Sequence, residues 1–139
     1  MRLASESRRK RRAAAVAEMA VLLPVIAFLF LVAVDFCRVF NCTQIVRGCA
    51  RAGALYASGN AQSAPSTSVQ DAASAAAVAE GTMLNPPLVA DNVAVTVADG
   101  VATVTVSYSF YTLVGYPGVP QPLSVVRTVK MAVMPQVGQ

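Results

Sequence analysis

The hydrophobic pattern of the chain changes period twice. From Ala13 to Cys37 almost every position is apolar, bounded by Arg12 and Arg38, with Glu18 and Asp35 the charges inside it. As a helix, these 25 residues would reach roughly 37 Å at ~1.5 Å per residue, against a hydrocarbon core of ~30 Å. The run therefore predicts a membrane-spanning helix with slack for tilt or for a polar residue near each end. Pro24 lies within it, as a kink that membrane helices tolerate. Beyond Cys37, "VDFCRVFNCTQIVRGCARAGALYAS" keeps apolar residues at helical spacing, including Phe36, Phe40, Ile45, Val46, Cys49 and Ala52, with no proline before Pro65. One continuous helix from about Ala14 to about Ala57 is expected, apolar all round in its first half and amphipathic in its second. The second half needs an apolar surface to pack on.

The period shifts after Ala57. "SGNAQSAPSTS", residues 58 to 68, is a small-residue linker, and a short Ala-rich helix follows up to Glu80. Thr67 or Ser68 is the expected cap, with Gln70 or Asp71 completing a capping box, and Gly81 is placed to end the helix. "NVAVTVADGVATVTVSYSF" then alternates with period two around Asp99-Gly100, a dipeptide suited to a type I′ hairpin turn. With that turn, Val97 opposes Ala102, Val95 opposes Val104 and Val93 opposes Val106. Val93, Val95, Val97, Val104, Val106, Tyr108 and Phe110 share one face, and Thr96, Thr103 and Thr105 the other. A third strand is expected over residues 123 to 133, with Arg127 at an edge or interface. Three strands with one apolar face require a cover, and the outer half of the long helix can supply it. The expected fold class is α+β: a long N-terminal transmembrane helix extending into a small head with a short second helix and a three-stranded antiparallel sheet.

Charge gives the segment an orientation. Arg2, Arg8, Arg9, Lys10, Arg11 and Arg12 precede the apolar run with Glu6 opposing them, and such basic flanks stay on the cytoplasmic side. The cluster Arg8, Arg9, Lys10, Arg11 and Arg12 thus sets the topology, leaving everything after residue 38 outside. A nucleic-acid reading of the same cluster leaves the adjoining apolar run unexplained, so no nucleic acid is expected as a partner. A cleaved secretory signal is the other alternative, but no small-x-small site follows the run; Asp35, Phe36, Cys37 and Arg38 come instead. Asp35 and Arg38, three apart on one helical face, are expected to form an interfacial ion pair.

Composition narrows the chemistry. The 139 residues hold no His, no Trp and three Cys, so no Ser-His or Cys-His pair and no His-bearing metal site can be assembled, and the sequence carries no Walker or GxGxxG loop. An enzyme is not expected, nor are a cofactor, a metal or a small-molecule substrate. Cys37, Cys42 and Cys49 cannot bridge one another within one helix. Two main readings stay open for them: small buried apolar residues under the sheet, or a bridge to another subunit. Lipidation and metal binding are lesser alternatives.

Glu18 is the anomaly in this pattern, because a charged residue at the centre of a membrane helix costs about 2.5 to 3.5 kcal/mol, and less near the interface. Its plainest role is to sit at headgroup level, satisfied by the basic cluster. The basic cluster, "AAAVAEMAVLLPV", "VDFCRVF", "CARAGALYAS" and "VTVSYSF" together resemble the TadE-like minor pilins, or pseudopilins, of the tight-adherence (Tad, or Flp) pilus system. The resemblance implies a precursor cut by a prepilin peptidase four residues before the glutamate, which makes Ala13 and Ala14 the junction and Glu18 the fifth mature residue. Ala13 stands where such sequences usually carry glycine, and Met19 where they usually carry Phe or Tyr. The resemblance further implies that Glu18 pairs with the new α-amino group, on its own or a neighbouring subunit, and so marks register during assembly. The implied partners are the prepilin peptidase, other Tad pilins with their assembly machinery, and membrane lipid. The organisation expected is a basic cytoplasmic leader over 1–13, a transmembrane helix over 14–37 and an extracytoplasmic head over 38–139. The functional expectation is a membrane-anchored minor pilin acting in assembly of a pilus for adhesion or secretion. The alternative is a single-pass envelope protein of the bacterial inner membrane whose head binds a partner without entering a fibre.

Overall fold

A computed structural model describes residues 2–61, 66–116 and 118–134, with side chains described for 13–61, 68–116 and 118–134. Helix α1 runs from Arg2 to Asn60 with Pro24 inside it, and helix α2 from Ser66 to Glu80. Strands β1 (Val93–Ala98), β2 (Val101–Phe110) and β3 (Leu123–Ala132) follow. The expected α+β class with a long helix, a second helix and three strands is what the chain adopts. By contacts the chain divides into two units, Met1–Cys37 and Arg38–Gln139.

In the first unit residues 13–33 of the helix are exposed along their whole length. Val21, Leu22, Leu23, Phe28, Leu29 and Phe30 are each more than half exposed, which water would penalise and lipid would not.

The second unit is a β1-β2-β3 antiparallel meander with a helical layer on one face. The hairpin register is the one the sequence predicts, pairing Val93 with Val106, Val95 with Val104 and Val97 with Ala102. Asp99 and Gly100 both have positive φ, 51° and 71°, the type I′ geometry whose twist matches the flanking strands. Along β2, Ala102, Val104, Val106, Tyr108 and Phe110 are buried while Ser107 and Ser109 are exposed. The outer half of α1 supplies the cover, with Val46, Cys49, Ala50 and Ala54 at 0% exposure clustered with Val104 and Val106. Each fully buried valine contributes about 1.5–3 kcal/mol relative to exposure. The opposite face is hydroxylated: Thr105 and Thr128 join across β2 and β3 by a 2.9 Å hydroxyl contact.

Two local expectations are corrected. The linker at residues 58 to 68 is narrower at both ends, because Ser58 to Asn60 remain helical and α2 already begins at Ser66. The end of α1 is held by other groups: the Met134 amide donates to the Ser58 carbonyl at 3.1 Å and the Asn60 side chain donates back to the Tyr56 carbonyl at 3.0 Å. These bonds satisfy carbonyls at the helix end. Thr67 and Ser68 lie inside the first turn of α2, so neither is its cap. Gly81 does end α2, opening a 3₁₀ turn at Gly81–Met83. A close approach accompanies it: a Cβ at Gly81 would lie 3.0 Å from the Leu88 Cβ and 3.3 Å from the Cys49 sulfur.

Candidate functional site

The membrane segment presents its candidate residues along one helix. Ala13, Ala14 and Glu18 are all exposed on α1, and the carboxylate shares a shallow apolar surface with Ala17, Val21 and Leu22. Four residues of helix separate Glu18 from Ala14, roughly 6 Å along the axis. A group attached at residue 14 therefore lies about one helical turn from the carboxylate. The helix backbone passes through Arg8, Arg9, Lys10, Arg11 and Arg12, but their side chains lie outside the described residues. Asp35 is 4% exposed and Arg38 is half-buried, and each engages an interaction within the chain.

The stretch "CARAGALYAS" divides between packing and exposure. Ala50, Ala54 and Ala57 are fully buried, and Gly53 sits where α1, α2 and β2 meet. A Cβ on Gly53 would come 3.1 Å from the Ala73 carbonyl oxygen, 3.2 Å from the Val104 Cγ1 and 3.3 Å from the Ala77 Cβ. Only a residue without a side chain lets these three elements close to that distance. Arg51, in the middle of the same stretch, points outward. With Gln44, Arg47, Val129 and Met131 it lines an open groove of about 600 Å³ along β3. Arg127, expected at an edge, is exposed on that same edge strand, and its guanidinium donates to the Val126 carbonyl at 3.1 Å.

The three cysteines are free and differ in environment: Cys37 exposed, Cys42 half-buried and Cys49 buried. Core burial thus describes Cys49 fully and Cys42 in part, and does not describe Cys37. Desolvation pushes the Cys49 thiol above its ordinary 9.0, with the Glu80 charge adding to the rise. Tyr108 is also raised from its ordinary 10.0, mainly by burial, with Cys42 adding and Arg38 opposing. Its hydroxyl donates to the Pro86 carbonyl at 2.9 Å, and its ring stacks on Phe110 with centroids 6.3 Å apart. Among the described residues no three His, Cys, Asp or Glu side chains gather to hold a metal ion.

Two of these features were not anticipated from the sequence: the three-way contact at Gly53 and the arginine groove beside β3. The helical spacing of Gln44, Arg47 and Arg51 signals a polar stripe, but that it borders β3 depends on which strand the helix covers. The Ala/Gly spacing around residue 53 signals a close helix contact without naming what lies across it.

Helix α1 is long and apolar enough, by length and composition, to cross a membrane. No curated protein and no solved structure matches the chain. Residues 13–55 match the family model described as "TadE-like protein", so the stretch that carries the apolar run, Glu18 and the Gly53 contact is a TadE-like sequence, consistent with a protein of the Tad pilus system.

Proposed function

We propose that the chain is a minor pilin of a Tad-type pilus, anchored in the bacterial cytoplasmic membrane by α1 with its N-terminus inside and its head outside. The TadE-like match together with an apolar N-terminal helix fits a membrane-anchored, Tad-associated protein. The observation that carries the finer reading is Glu18, an exposed carboxylate one turn into an uncovered apolar helix and inside the matched stretch. In this reading residues 1–13 are a leader whose basic cluster holds the N-terminus in the cytoplasm. A prepilin peptidase cuts between Ala13 and Ala14, and the new α-amino group pairs with Glu18. In lipid the cost of the carboxylate is offset when that amine, or the amine of a neighbouring pilin, is within reach. The pairing therefore favours one axial register between subunits. Residues 14–37 form the span, and Asp35 with Arg38 forms the ion pair that closes its outer end.

A Glu18→Gln variant tests this role. Under the proposal it inserts into the membrane as the parent does but fails to reach the surface fraction sheared from intact cells. Recovery of the variant in that fraction at the parental level would return Glu18 to a headgroup-level residue without an assembly role.

A further inference from the structure

The charges of the second unit are segregated by element. Its five basic residues, Arg38, Arg47, Arg51, Arg127 and Lys130, all lie on α1 or β3, and residues 52 to 126 contain neither Lys nor Arg. The four acids, Asp71, Glu80, Asp91 and Asp99, all lie on α2 or on the chain that leads into and out of β1. The sheet order β1-β2-β3 puts Asp71 and Asp91, beside β1, on the edge opposite the basic residues beside and on β3, while Asp99 lies in the β1–β2 turn and Glu80 lies beside Gly48 of α1.

Each edge has its own open groove. At the β3 edge, Arg47 and Arg51 stand beside Val129 and Met131 in the groove of about 600 Å³. At the β1 edge, Asp71, Ser74 and Asp91 stand beside Val93 and Val95 in a groove of about 320 Å³. Arg47, Arg51, Asp71 and Asp91 are all exposed. Both grooves therefore combine a strand's apolar side chains with charges of a single sign, and the two signs are opposite.

From this arrangement we infer that the β1 edge of one copy docks on the β3 edge of a second copy of the same chain, setting Asp71 and Asp91 against Arg47 and Arg51. A two-fold pairing would bring like charges together at either edge, whereas a head-to-tail contact satisfies both edges at once and repeats without closing on itself unless the rotation makes a ring. Exposed ion pairs are individually weak and screened by salt. Confinement of the chains to one membrane raises their effective concentration and compensates for that weakness. The inference deepens the reading of the chain as an assembly subunit and rests on it for the second copy being close at hand.

The test uses the full chain in native membranes, with its cysteines intact. An Arg51→Lys variant keeps the charge and supplies an amine that a carbodiimide couples to a carboxylate in contact with it. The expected result is a ladder of crosslinked oligomers in which residue 51 is joined to Asp71 or Asp91 of another copy. Adding Asp71→Arg with Asp91→Arg reduces the ladder at least about tenfold, because like charges then face one another. No oligomers, oligomers joined through other positions, or a ladder unchanged by the reversal would overturn the inference. The intact mass of the monomer from the same membranes separates the two failures. A chain beginning at Ala14 without a ladder refutes the edge contact alone, and a ladder from a chain beginning at Met1 refutes the processing alone.

Discussion

Gly53 on α1 lies so close to Ala73 on α2 that a methyl group at position 53 would come 3.1 Å from the Ala73 carbonyl oxygen. A backbone oxygen cannot rotate away as a side chain can. Overpacking of this kind costs about 1–3 kcal/mol, while alanine gains up to ~1 kcal/mol over glycine in a helix interior. Gly53→Ala is expected to destabilise the purified full chain by about 1 kcal/mol net, and Gly53→Val by more, read as the thermal midpoint in detergent. An Ala variant more stable than the parent would show that α1 and α2 do not meet this closely.

The second prediction concerns the tie between β2 and the loop before β1. Tyr108 is 3% exposed and its hydroxyl donates to the Pro86 carbonyl. Tyr108→Phe keeps the ring on Phe110 and removes only that bond, at a cost of about 1 kcal/mol. The same thermal midpoint measures it. A loss several times larger would mean that the hydroxyl holds more than the one carbonyl.

The turn supplies a third. Gly100 has φ 71°, where an L-residue loses roughly 1–2 kcal/mol. Gly100→Ala should lower stability by about that amount, whereas Asp99→Asn should be close to neutral, because asparagine accepts positive φ as readily as aspartate. Equal effects from both changes would exclude the type I′ geometry.

A fourth follows from the two raised acids. Burial lifts Cys49 above its ordinary 9.0 and Tyr108 above its ordinary 10.0. The folded chain thus holds protons that the unfolded chain releases. Their contribution is complete below pH 9.0 and is lost as pH rises through the two raised values. The thermal midpoint is expected to be flat between about pH 7 and about pH 8.5 and to fall above that range. Cys49→Ala should remove the earlier part of the fall and Tyr108→Phe the later part. A midpoint that rises with pH above 9.0 would contradict the sign.

What could be read in advance was what repeats along the chain. The alternation from Asn92 to Phe110 and the Asp99-Gly100 turn define a register without reference to any other element, and the pairing of Val95 with Val104 follows directly. The apolar run likewise carries its own length and flanks. What could not be read depends on elements meeting across space. Thr67 and Ser68 look like caps because small hydroxyl residues open a helix, but α2 starts before them. Gly81 looks like a terminator and is one, yet Leu88 and Cys49 crowd it from outside the helix. Arg47 and Arg51 are four apart on the helix, but that β3 lies beside them could not be read from that spacing. The register of Arg127 opposite Val106 was equally hidden, because it needed the length of the loop between β2 and β3.

The central claim is that the apolar helix becomes a mature pilin N-terminus at Ala14. The most direct measurement is the intact mass of the membrane-bound chain from cells with and without the prepilin peptidase. The account predicts a chain beginning at Ala14 when the peptidase is present and at Met1 when it is absent. A chain beginning at Met1 in both would contradict it.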